Sequence, residues 1–95
     1  MIVRIMGDGQ YRVDNAAAAE ISELDDQAAA ALEAGDEQAV RDLLRRLAES
    51  VRSRGTRLDD SDLSPSDGIV PPEDLTLEEA REFFSGEGLI PDLPA

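Results

Sequence analysis

The stretch Ala34-Gly35-Asp36 constrains this chain more than any other. It divides two long segments that both carry apolar residues at helical spacing. Glycine is the usual residue just past a helix end, and aspartate is a strong first cap for the next helix. With so short a connection, two helices pack antiparallel as a helical hairpin. The first helix is predicted from a cap at Asp14 or Asn15 to about Leu32, with Ile21, Leu24, Ala28 and Leu32 on one face. The second is predicted from about Glu37 to Arg54, with Val40, Leu43, Leu44, Leu47 and Val51 as its apolar stripe and Gly55 as its end. At 1.5 Å per residue, each spans roughly 27–30 Å.

Before the helices, Ile2, Val3, Ile5 and Met6 read as a strand and Gly7-Asp8-Gly9 as a turn. Gln10 to Val13 then alternate as a second strand. A two-stranded hairpin is marginal alone, so it is expected to lie on the helices or to gain a third strand. The dyad Ile69-Val70 can supply a short edge strand, because Pro71-Pro72 forbids a longer one. Asp59 to Gly68 is acidic and serine-rich, as an exposed loop is. Thr76-Leu77-Glu78-Glu79 is a capping box, with Leu75 and Ala80 at the staple positions. A short third helix is expected to about Ser85, followed by a small apolar hook at Leu89-Ile90-Pro91 and a frayed end. The expected fold class is α+β, in a single domain over residues 1–95. It divides into a β-hairpin (1–13), a helical hairpin (14–57), an acidic loop (58–75) and a short helix with tail (76–95).

Composition narrows the chemistry. The chain has 95 residues and contains neither cysteine nor histidine. That removes disulfides, thiolate chemistry, the commonest general base and the commonest transition-metal ligand. No cofactor or metal is expected. The formal net charge is −13. Such a field repels nucleic acid, and it repels anionic lipid unless a local basic patch prevails. The carboxylate pairs Asp25-Asp26, Asp59-Asp60 and Glu78-Glu79 read as solvated surface rather than acid/base machinery, since nothing near them would shift a pKa. Asp59, Asp60, Asp62 and Asp67 lack the glycine and terminal glutamate of an EF-hand loop. Gly7-Asp8-Gly9 reads as a turn rather than a phosphate cradle. The chain is therefore expected to be an interaction protein and not an enzyme. With no export signal, no cysteine and no long apolar run, the cytoplasm is its expected compartment. Arginine as the only basic residue type, with much alanine and aspartate, fits a GC-rich genome, actinobacterial for instance, or a halophile.

Charge is unevenly spread. Residues 36–57 hold six basic and four acidic residues, whereas 58–95 hold one basic and eleven acidic. The arginines can pair within the chain, as Glu37–Arg41 and Asp42–Arg46 at i,i+4 spacing and as Arg45, Arg52, Arg54 and Arg57 to the acidic tail. They can also form a docking stripe for an acidic helix. On the second reading Arg41, Arg45 and Arg52 are the candidate contacts, with Tyr11 or Phe84 as an apolar anchor. For Phe83, Phe84 and Tyr11, packing within the fold is the competing reading.

Three ordered pieces resemble one family. They are the opening "MIVRIMGDGQYRVD", the helix junction "EAGDEQA" and the tail "LSPSDGIVPPEDLTLEEAREFF" with its closing "GEGLIP". Together they are similar to the PspA-associated family, which is found beside phage shock protein A. The resemblance implies a cytoplasmic, non-enzymatic accessory of the envelope-stress response. It further implies that the chain binds phage shock protein A, a coiled-coil, membrane-associated protein, and modulates its protective activity. Contact with the inner face of the membrane would then be indirect. The other class of function is a peripheral membrane-surface stress sensor whose arginine-rich helix meets anionic lipid directly. Alanines fill much of the first helix, which implies a thin core or a close helix approach.

Overall fold

The computed structural model describes residues 1–84. Its elements run β1 (Ile2–Ile5), β2 (Gly9–Arg12), α1 (Asn15–Glu33), α2 (Glu37–Arg54), β3 (Thr56–Arg57), β4 (Gly68–Val70) and α3 (Leu77–Phe83). The fold is α+β, a small sheet packed on a helical hairpin. The strand order is β3-β2-β1-β4. β1 and β2 form the antiparallel hairpin, with Val3 opposite Tyr11 and Arg4 opposite Gln10. β4 is the expected edge strand. It runs parallel to β1 and sets Ile69 beside Arg4 and Val70 beside Ile5. β1 thus lies inside the sheet, which accounts for its almost continuous apolar run.

One strand was not expected. Thr56–Arg57, placed by periodicity at the end of the helical hairpin, forms β3 against Tyr11 and Arg12. Gly55 makes this possible by bringing the end of α2 against β2. A Cβ there would lie 2.6 Å from the Val51 carbonyl oxygen and 3.1 Å from that of Arg12.

The helix boundaries follow from their caps. Asp14 caps α1, its Oδ1 accepting from the Ala17 N–H at 2.8 Å. At the other end Gly35 takes φ +76°, which a side chain disfavours. There Gly35 N–H donates to Leu32 and Asp36 N–H to Ala31, both at 3.0 Å, closing a Schellman motif. Asp36 then caps α2 through the Ala39 N–H at 3.1 Å. Thr76 and Glu79 form the reciprocal capping box of α3, and the staple residues Leu75 and Ala80 are both buried.

The core lies between the inner face of the sheet and the helical hairpin. Val3, Ile21, Leu47, Val51 and Val70 are fully buried. All five residues read as the α2 stripe are buried, whereas the α1 stripe differs from its expected form. Leu24 is only partly buried, and Asp25 is 2% exposed. The reading of Asp25 as solvated surface is therefore corrected, while Asp26 is exposed. The reason is geometric: Ile21, Asp25, Ala28 and Leu32 are spaced four, three and four, and so lie on one helical face. The apolar hook at Leu89-Ile90-Pro91, and the extension of α3 to Ser85, lie outside the described residues. Among the described residues no helix is long and apolar enough to cross a membrane.

Candidate docking groove

The amphipathic pattern of α2 places its arginines at the edges of the buried stripe. Arg41, Arg45, Ala48 and Arg52 follow each other at spacings of four, three and four, along one edge. Beside that edge the chain leaves β4 through Pro71-Pro72. The two segments enclose a groove of about 610 Å³. Met6, Leu44, Ala48 and Pro71 give it an apolar lining, and its charged walls are mixed, with Arg45 and Arg52 beside Glu49, Glu73 and Asp74. Met6 follows β1 directly and is 42% exposed, an uncommon amount for a large apolar side chain held beside a sheet.

Both arginines of the groove are held by ion pairs. Arg45 Nε donates to Glu73 at 3.2 Å, and its Nη1 lies 3.5 Å from Asp42. Arg52 Nε donates to Asp8 Oδ2 at 2.7 Å, tying the hairpin turn to α2. These side chains remain about half exposed, 50% for Arg45 and 48% for Arg52. A guanidinium carries five donors, so these pairs leave each arginine with N–H groups that can donate to a further carboxylate.

Asp8 is the hub of the neighbouring network. Its carboxylate accepts from the Tyr11 hydroxyl at 3.1 Å, and its carbonyl accepts from Arg57 at 3.0 Å. The Arg52 hydrogen bond, aided by Tyr11, holds the Asp8 carboxyl below its ordinary value of 3.8. The same bond pushes the Arg52 guanidinium pKa upward. Sequence reasoning took Asp8 for a turn residue, and nothing local signals a partner 44 positions away.

The five residues singled out from the sequence fall in separate places. Arg45 and Arg52 share the groove. Arg41 lies one turn earlier on α2 and pairs with Glu37 at 2.7 Å, as its spacing predicts. Tyr11 is 7% exposed and packs in the core, with its hydroxyl on Asp8. Phe84 is half-buried in a different, shallow pocket beside Leu32, Glu33 and Arg81. Phe83 also packs partly against the core.

The expected pairings are rearranged in part. Asp42 meets Arg45 and Gln38 rather than Arg46. Arg45 and Arg57 do reach residues beyond position 57, at Glu73 and Asp60, but Arg54 pairs with Glu20 across the helical hairpin. Met6 and the proline pair are the groove residues that periodicity missed. The signal for Met6 is an apolar residue immediately after a strand, just before a turn.

Among the described residues no cluster of three or more acidic side chains is arranged to hold a metal ion. No curated protein and no solved structure matches the chain. The family described as PspA-Associated protein matches residues 1–92, nearly the whole length, and the chain belongs to that family.

Proposed function

We propose that this protein is a non-catalytic adaptor that binds phage shock protein A through the α2 groove and modulates its membrane-protective activity. The observation that carries the proposal is the groove itself. It has an apolar lining in which Met6 is exposed and Ala48 half-buried, and two half-exposed arginines on its walls, in a chain whose net charge is −13. The family's description, PspA-Associated protein, supports this choice of partner. A helix with apolar residues at i, i+3 and i+4 complements such a groove in shape, with its carboxylates placed toward Arg45 and Arg52 and away from Glu49, Glu73 and Asp74. The apolar contacts would carry most of the affinity, and the arginines would set association rate and selectivity. Arg41 extends the basic edge by one turn. Phe84 and Tyr11 lie away from the groove, which leaves Met6 as the apolar anchor on this side of the molecule.

The test is titration calorimetry against phage shock protein A from the same genome. Saturable binding is expected, weakening as salt rises. Arg45→Glu with Arg52→Glu should lower affinity at least about tenfold, the equivalent of ~1.4 kcal/mol. Since Arg52→Glu also faces Asp8, Met6→Asp is a second probe that leaves the ion pairs intact. Unchanged affinity in both variants, with native circular dichroism, would overturn the proposal. The direct-lipid alternative rests on the local excess of arginine in residues 36–57. Flotation with anionic vesicles at low salt, without phage shock protein A, separates the two.

A further inference from the structure

Each end of the α2 groove carries an ion pair, and the two pairs differ. α2 rises about 1.5 Å per residue, so the span from Arg45 to Arg52 is only about 10 Å, or about two helical turns. At one end Arg52 reaches Asp8 of the hairpin turn, at 2.7 Å. At the other end Arg45, on the α2 wall, reaches Glu73, on the facing wall, at 3.2 Å. A helix lying along α2 for more than two turns must pass one of these bridges.

The Asp8 end is fixed. Its carboxylate is 23% exposed, and the Tyr11 hydroxyl holds it from a second side. The Glu73 end can move. Glu73 is 53% exposed, and its arginine is half exposed as well. Asp42 lies 3.5 Å from the same guanidinium, so Arg45 keeps a carboxylate when Glu73 swings away. An ion pair this exposed gains little over its charges separated in water, and the closed state is favoured only a fewfold. The backbone that carries Glu73 is held on both sides, so its side chain alone moves. Pro71 and Pro72 fix φ ahead of it. Beyond it Leu75 is buried and Thr76 caps α3. An exposed side chain rotates within picoseconds to nanoseconds, fast against docking.

We propose that the Arg45–Glu73 ion pair is a latch across the groove: closed in the free protein, it lowers the affinity for a docking helix, and it opens by rotation of Glu73 while the Asp8–Arg52 end stays fixed. The latch rests on the groove being the docking site for phage shock protein A. A helix that brings its own carboxylate to Arg45 recovers the lost pair, and one without it does not, so the latch also selects among helices.

The experiment is titration calorimetry of phage shock protein A against the full chain and its Glu73→Ala and Asp74→Ala variants. Glu73→Ala removes the latch. The apparent affinity should then rise by the reciprocal of the open fraction, about two- to fivefold. The gain should shrink as salt rises, because salt opens the latch in the wild type too. Asp74→Ala takes the same charge from the same wall without touching the ion pair, and should give less than half that gain. In the free protein the Arg45 Nε–H resonance should shift in Glu73→Ala and stay near its wild-type position in Asp74→Ala. Equal gains from the two variants would reveal general repulsion by the acidic wall and overturn the latch. Unchanged or lower affinity in Glu73→Ala, with wild-type binding intact, overturns the latch and leaves the docking site standing. No binding by the wild type or by either variant overturns the docking site and the latch together.

Discussion

On the inner face of the sheet Val3, Ile5, Tyr11 and Val70 are at most 7% exposed, packed beneath two long helices. On the outer face Arg4, Arg12 and Ile69 are exposed, and among the described residues the 58–67 segment is what crosses them. The inner face is closed by regular elements that satisfy their own backbone groups and offer continuous apolar stripes. The outer face is closed by an irregular strap that must find backbone partners one at a time, at Gln10, Ile2 and its own aspartates. Stability therefore belongs to the first face. The second keeps a cavity of about 500 Å³ and a buried Gln10 side-chain carbonyl oxygen that accepts no hydrogen bond among the described residues.

Substitutions can break this contrast. The largest effect is expected at Leu47, which is fully buried between the helices and the sheet. Leu47→Ala should cost about 2–5 kcal/mol in chemical denaturation, from lost transfer energy plus the cavity left behind. Next comes Gly55→Ala. The new methyl group would meet the Val51 carbonyl, and relief requires α2 and β2 to move apart, at about 1–3 kcal/mol.

Asp8→Asn should cost about 1 kcal/mol near neutral pH, the upper end for a partly exposed ion pair. Its pH dependence sharpens the assignment. The folded pKa of Asp8 is depressed by Arg52 and Tyr11, so its contribution is present above the unfolded value, about 3.9, and is lost as pH falls through the folded value. The stability gap between wild type and Asp8→Asn should therefore narrow as pH drops below about 4. A gap that stays constant with pH would show that the carboxylate's charge is not what ties the turn to α2.

The smallest effect is expected on the strap. Leu63 is 91% exposed, and Leu63→Ser should change stability by no more than about 0.5 kcal/mol. A loss comparable to that of Leu47→Ala would mean that the outer face is a second core, and the contrast between the faces would fail.

The two helices show why some of this was legible and some was not. In α2 leucine and valine recur at helical spacing, and side-chain type coincides with burial at all five positions. In α1 alanine fills so many positions that hydrophobic contrast is weak, and the true face runs through an aspartate. Reading by residue type moved the stripe from Asp25 to Leu24. The spacing of Ile21, Ala28 and Leu32 around position 25 held the better signal. The candidate arginines were legible as a group because they share the α2 edge, but their partners at Asp8, Glu73 and Glu20 lie far away in sequence.

Local rules determined the caps at Asp14, Asp36 and Thr76, the hairpin turn, the junction at Gly35 and the lengths of both long helices. Each depends on hydrogen bonds or φ angles within a few residues. Absent histidine and cysteine, and the surplus of carboxylates, likewise limited the chemistry without reference to shape. The pairing of Thr56–Arg57 with β2, the direction of β4 and the Asp8–Arg52 tie were decided by tertiary structure. So were the groove beside Met6 and the buried Gln10. These depend on which surfaces meet once the helical hairpin folds back onto the sheet, and a contact across 40 or more residues leaves no periodic trace in the sequence that makes it.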